Sequence, residues 1–147
     1  VSQNKINALV DSSFLFALNS LNDKQRLPAL SLAHRSDDIN YLLPDVVIGE
    51  VAYMIRSRIH QAMVIKFLAI TAESQFSLIP ILKEDLARAG KIMNKYRESD
   101  LDFVDCCIVA LAERLNITHI CTFDERDFRK IVPAHVPYFT LFPADLS

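Results

Sequence analysis

The chain has 147 residues, 51% of them hydrophobic, with 16 basic and 18 acidic side chains and a net charge of −2. That length sets one domain, residues 1–147, as the prior, with ample apolar material for a buried core. The only glycines are Gly49 and Gly90, which excludes the dinucleotide fingerprint, the P-loop and the nucleophile elbow, since each needs glycines at short spacing.

Ile6-Asn7-Ala8-Leu9-Val10 reads as a short buried strand running into Asp11-Ser12-Ser13. A helix is expected over Phe14 to Leu21, and a second over Lys24 to Arg35, irregular around Pro28. Leu42 to Asp45 is a short extended piece, with Pro44 and Asp45 as start signals for a helix from Val46 to Arg58. His60 to Ser74 is another helix, and Phe76 to Leu82 a strand. Glu84 to Arg97 forms an amphipathic helix with acids first and bases last, as the helix dipole favours. Asp102 to Leu115 is the next helix, ended by Asn116, a residue that tolerates the left-handed position. Thr118 to Thr122 and Tyr138 to Phe142 are the last strands. Strands separated by helices and short loops predict an α/β fold with a parallel sheet covered on both faces, and a ligand site beyond the carboxyl ends of the strands.

The histidines, His34, His60, His119 and His135, are scattered, with no HExxH and no CxxC, so a zinc site has little support. Cys106, Cys107 and Cys121 lie in apolar contexts and read as reduced core thiols of a cytoplasmic protein. No apolar run approaches the ~20 residues that span a bilayer, and no basic-then-apolar leader is evident, so neither membrane nor export is expected. The weak net charge does not exclude a phosphate-bearing substrate. If several acids gather at one metal site, the remaining surface is balanced or slightly basic.

Four acids stand where they are expensive or well placed. Asp105 interrupts the apolar run Phe103 to Ala112, with Leu101, Asp102, Ile108 and Val109 as its helical neighbours. Glu50 repeats the pattern among Val46, Val47, Tyr53 and Met54, and Gly49 beside it leaves room for a close approach. Asp11 and Asp124 follow predicted strands. Taken singly, capping or a salt bridge accounts for each, and capping is the better account of Asp102. Taken jointly the bland accounts weaken, because two acids at strand ends and two on dry helix faces can share one crevice. Clustered carboxylates raise one another's pKa unless a cation neutralises them, and a hard divalent ion with oxygen ligands, Mg²⁺ or Mn²⁺, does so naturally.

At these residues the sequence resembles the PIN domain family, and within it the VapC-type ribonuclease toxins of toxin–antitoxin modules. The resemblance runs through "ALVDSSFLFAL", "LLPDVVIGEVAYMIRSR" and "LDFVDCCIVALAERLNITHICTFDERDF", and it covers nearly the whole chain. It implies a three-layer α/β/α sandwich around a parallel sheet. It also implies an endonuclease that hydrolyses RNA with one or two Mg²⁺ or Mn²⁺ ions on Asp11, Glu50, Asp105 and Asp124. Asn116 stands in place of a common glycine, while Asp127 and Asp102 are extra acids near the metal shell. Ser13 and Thr122 are placed to hydrogen-bond the carboxylates. Arg56, Arg58, Arg126 and Arg129 are candidates for phosphate contacts, with solvated surface charge as the plain alternative for each. The family further implies a small antitoxin partner and a homodimer, for which the helices at Lys24 to Arg35 and His60 to Ser74 are the expected surface. The rival readings are a catalytically silent PIN-like module that binds RNA or protein, and a phosphotransfer receiver domain. The receiver wants paired acids after the first strand and a lysine after a late one, and here no lysine follows "THICTFD" until Lys130.

Overall fold

The computed structural model describes residues 4–146, so residues 1–3 and 147 of the expected single domain lie outside the described part. The elements run β1 (Ile6–Val10), α1 (Ser12–Asn19), α2 (Arg26–Ala33), β2 (Ile39–Pro44), α3 (Asp45–Arg58), α4 (Gln61–Glu73) and β3 (Ser77–Ile79). They continue with α5 (Lys83–Lys95), a 3₁₀ turn (Arg97–Ser99), α6 (Phe103–Leu115), β4 (His119–Cys121), α7 (Glu125–Lys130) and β5 (Thr140–Phe142). The five strands form one sheet in the order β3-β2-β1-β4-β5, and every pairing is parallel.

Ala8, Leu9 and Val10 on the central strand are each fully buried. Successive strand residues point to opposite faces, so the sheet is covered on both sides. α5 packs on α6, while α3 packs on α1 and α4, which makes the α/β/α sandwich of the sequence reading. The chain moves outward through β1, β2 and β3, then returns to lay β4 on the other side of β1. The switch point therefore lies between β1 and β4, and a crevice opens there beyond their carboxyl ends. No helix among the described residues is long and apolar enough to cross a membrane.

Where the elements depart from expectation, the reasons are local. β2 begins at Ile39, earlier than Leu42, because Ile39, Tyr41 and Leu43 bury one face while Asn40 stays exposed and donates to Asn7 on β1. β3 is three residues, not seven, since Pro80 offers no N–H to continue the ladder. Pro28 causes no irregularity because α2 starts at Arg26 and a first-turn proline breaks no helical hydrogen bond. Asn116 closes α6 in the left-handed conformation, φ 55°, as its side chain allows. The three cysteines are free and fully buried.

Candidate metal centre and active site

α6 is the most deeply buried helix, with every residue from Val104 to Ala112 inside. Asp102 is its N-cap: the side chain accepts the Asp105 N–H at 2.8 Å, so capping accounts for Asp102. The same bond fixes the first turn and aims Asp105 into the crevice. Asp105 is 4% exposed, and among the described residues no cationic side chain lies within 4.0 Å of it.

Asp11 and Asp124 both stand where helix caps stand, yet neither side chain caps. Asp11 belongs to another network. Ser13 Oγ donates to its Oδ2 at 2.9 Å, and Thr122 Oγ1 donates to the same oxygen at 2.6 Å. Each hydroxyl has then spent its one proton, and each accepts in turn from the backbone. Phe123 N–H reaches Ser13 Oγ at 2.9 Å, and Asp124 N–H reaches Thr122 Oγ1 at 2.8 Å. The Asp11 N–H bonds Cys121 carbonyl at 3.0 Å, so β1 and β4 are tied at the point where both acids leave the sheet. Neither hydroxyl engages Asp11 Oδ1.

One crevice of about 410 Å³ is lined by Asp11, Ser12, Ser13, Glu50, Tyr53, Met54, Arg58, Asp102, Asp105 and Asp124. All four acids singled out in the sequence therefore share it. Asp127 joins from the first turn of α7: Asp105, Asp124 and Asp127 each offer a carboxylate oxygen within 4.8 Å of the others. Ser12 also faces the crevice, and its Oγ is buried without a hydrogen-bond partner. Sequence reading passed over it, although a serine directly after a strand-end aspartate is a visible signal. No protein element comes close to Gly49: nothing lies within 4 Å of where its Cβ would stand, and the space there is open.

The electrostatics follow from this crowding. Burial pushes the Asp105 carboxyl up to about 9, and the charges of Asp11, Asp102, Asp124 and Glu50 add to the rise. Burial lifts Asp11 to about 6 against the pull of Thr122 and Ser13. Burial also raises Glu50, with the nearby Ser12 hydroxyl and Arg58 opposing and Asp102 adding, and it raises Asp124, with the Asp127 charge adding. Of the four arginines, only Arg58 lines the crevice. Arg129 is engaged by Asp145 at 2.7 Å and Glu125 at 3.5 Å, while Arg56 and Arg126 are exposed elsewhere.

The donor set fits a hard divalent cation. Oxygens on opposite sides of a Mg²⁺-sized ion stand about 4.2 Å apart, from twice its metal–oxygen distance, and the Asp105, Asp124 and Asp127 oxygens lie within reach of such an arrangement. Lys130 stands 3.6 Å from Asp127, but among the described residues no cationic side chain lies within 4.0 Å of Asp105 or Asp124. Removing the hydroxyls that hold Asp11, by Ser13→Ala or Thr122→Val, is expected to weaken Mn²⁺ binding about 10-fold each, since such outer partners typically cost 10–100-fold. Isothermal titration with Mn²⁺ reads this directly, and unchanged affinity in both variants would remove Asp11 from the metal's ligands.

The chain belongs to the PIN domain family, whose match spans residues 8–132. No curated protein matches the sequence. Its fold is that of VapC20 from Mycobacterium tuberculosis, a sarcin–ricin-loop-cleaving toxin, with a TM-score of 0.74 at 20% identity over 81% of this chain and 91% of that one. VapBC2 of Rickettsia felis, solved with a DNA fragment from its promoter, aligns with a TM-score of 0.68 at 14% identity over 92% of this chain and 97% of the other. A toxin–antitoxin complex from Klebsiella pneumoniae aligns with a TM-score of 0.62 at 22% identity, covering 90% of this chain and 99% of that one.

Proposed function

We propose that the protein, as a single PIN domain, is a metal-dependent endoribonuclease and the toxin of a toxin–antitoxin pair. The observation that carries the nuclease reading is Asp105: a carboxylate 4% exposed, ringed by other acids, with no cationic side chain among the described residues within 4.0 Å. Such a group is tolerated where a bound cation completes it.

When bound, one or two Mg²⁺ or Mn²⁺ ions supply a Lewis acid for a phosphoryl oxygen and a water of lowered pKa. Asp11, through the Oδ1 that neither hydroxyl engages, and Asp105, Asp124 and Asp127 are the ligands, with Asp102 holding the helix turn that presents Asp105. Glu50 stands on α3, outside the close group of oxygens. Its carboxyl, raised by burial, lines the crevice as the base for the attacking water. Arg58 contacts the substrate's phosphate from the rim. The toxin role rests on the likeness to VapC20 and to toxin–antitoxin complexes, and on apolar surface suited to partners. Leu27 on α2 and Ile65, Leu68 and Ile70 on α4 stand 77%, 69%, 47% and 57% exposed. These are the helices expected from the sequence to meet an antitoxin or a second copy of the chain.

The test is cleavage of total cellular RNA by the wild type and by Glu50→Gln, each in Mn²⁺ and in EDTA. Cutting by the wild type in Mn²⁺ alone, and a loss of about 100-fold or more in Glu50→Gln, is the expected result. Mn²⁺ binding without any cutting would instead make the chain a silent RNA- or protein-binding module.

A further inference from the structure

The crevice does not end at the carboxylates. It opens into a second hollow of about 640 Å³, which shares Ser13, Met54 and Arg58 with it and extends to Lys24. Together they make one trough along α3. Helix geometry sets the order of side chains across it. With 3.6 residues per turn, Tyr53 lies about 60° to one side of Glu50, and Met54 and Arg58 lie about 40° and 80° to the other. Tyr53 therefore lines the acidic crevice but not the second hollow, and Arg58 lines both, as the two sets of walls confirm.

Tyr53 is 73% exposed, an aromatic ring left in water at the lip of the trough. Arg58 is the opposite case, since its guanidinium is held 5.4 Å over the Phe16 ring. No carboxylate among the described residues lies within 4.0 Å of it, so its N–H groups remain free to meet an anion. Lys24, beside Asp23, adds a second cation from the loop before α2. An apolar aromatic face, a carboxylate floor and a fixed cation, in that order, match a base, a phosphodiester and the next phosphate of one unpaired strand. Nucleic-acid bases stack on aromatic side chains whatever their identity, whereas a base inside a duplex is stacked between neighbouring pairs and offers no free face.

We propose that Tyr53 is the stacking platform for an unpaired base beside the scissile phosphate, with Arg58 holding the neighbouring phosphate on the far side of the carboxylates. This deepens the ribonuclease reading and rests on it. Tyr53 then binds substrate without taking part in the chemistry. The face of its ring matters, and its hydroxyl does not.

The chain has no tryptophan, so Tyr53→Trp places a single fluorescent reporter at the lip. Its emission is expected to be quenched by a single-stranded 16-mer oligoadenylate and left unchanged by the same strand in a duplex. Tyr53→Phe should bind and cut as the wild type does. Tyr53→Ala should bind the oligomer about 5- to 100-fold more weakly, and cut total RNA with raised KM and little change in kcat, given what one base–aromatic stack contributes. Rescue by phenylalanine separates stacking from a general loss of structure.

Wild-type cutting left undisturbed by Tyr53→Ala, with no quenching in Tyr53→Trp, overturns the stacking role and leaves the nuclease reading standing. Unchanged RNA binding with a shifted sedimentation coefficient in Tyr53→Ala also overturns it, and assigns the ring to a protein interface. A wild type that neither binds nor cuts RNA in Mn²⁺ overturns the nuclease reading, and the stacking role with it.

Discussion

Asp105→Asn is expected to abolish metal-dependent RNA cleavage while making the metal-free protein more stable. The loss should be about 1000-fold or more, because the substitution removes a buried ligand charge at the centre of the site. The gain should be about 2 kcal/mol, or ~6 °C in Tm, measured in EDTA at pH 8. Both follow from one fact: the Asp105 carboxyl, with an ordinary value of 3.8, is pushed up to about 9 by burial and by its acidic neighbours. Between those limits the folded chain holds a proton that the unfolded chain gives up. Stability of the metal-free protein should therefore fall as pH rises from about 4 to about 9, with Asp11 adding to the fall between about 4 and 6. Asparagine removes most of that slope. Mn²⁺ should raise the Tm of the wild type at pH 8 and leave Asp105→Asn nearly unmoved. A variant less stable than the wild type in EDTA would show that the carboxylate is satisfied by the protein alone.

The other large effect lies at the opposite end of the same helix. Asp85 on α5 is 2% exposed, and its two oxygens accept from Arg114 Nε at 2.9 Å and from Arg114 NH2 at 3.0 Å. It also accepts the Leu82 N–H at 2.9 Å, which closes the first turn of α5. Burial pushes this carboxyl up, but Arg114 and the Leu82 N–H outweigh it and hold it below the ordinary range. Arg88 makes a second fork to Glu113, at 2.6 and 3.0 Å, so two ion pairs join α5 to α6. Asp85→Ala should cost about 3 kcal/mol, or ~9 °C in Tm, because it strands a partly buried guanidinium and opens a helix cap. Replacing Asp85 and Arg114 together by leucine should cost much less, since neither partner is then left unpaired. A double variant as unstable as the single one would assign the cost to the cap rather than to the pair. The wild-type pair should also fail in acid: a depressed carboxyl contributes stability above its unfolded pKa and loses it as pH falls through the folded value.

The legible parts of this chain were those governed by periodicity and by expense. Asp105 in an apolar run announced itself because it interrupts nine apolar neighbours, eight of them buried, and the strand-end positions of Asp11 and Asp124 placed them at the crevice once a parallel sheet was expected. Asp127 was harder. An acid in the first turn of an exposed helix looks the same whether it serves the dipole or faces a metal, and only the fold of the α6–β4–α7 corner brings it to Asp105. The arginines were left undecided for a related reason. Arg56 and Arg58 are two residues apart on one helix, so about 200° of rotation separates them, and sequence alone did not say which faced the floor. Tyr53 gave no sign, since nothing in its neighbours distinguishes an exposed ring from a buried one. The early start of β2 was hidden by its polar residue Asn40, which stays exposed between the buried Ile39 and Tyr41.

The knot that joins Ser13, Asp11 and Thr122 has a consequence for how such a chain is made. Its members lie 109 and 111 positions apart, so the pocket cannot exist while the early residues wait on the ribosome for the later ones. During synthesis the first strand emerges with its aspartate unheld and without the acids of the sixth and seventh helices. Competence arrives only when residues 119–124 are free to join the sheet. Under the proposed ribonuclease function this is a safeguard written into topology: most of the polypeptide has been made before its carboxylate site can form.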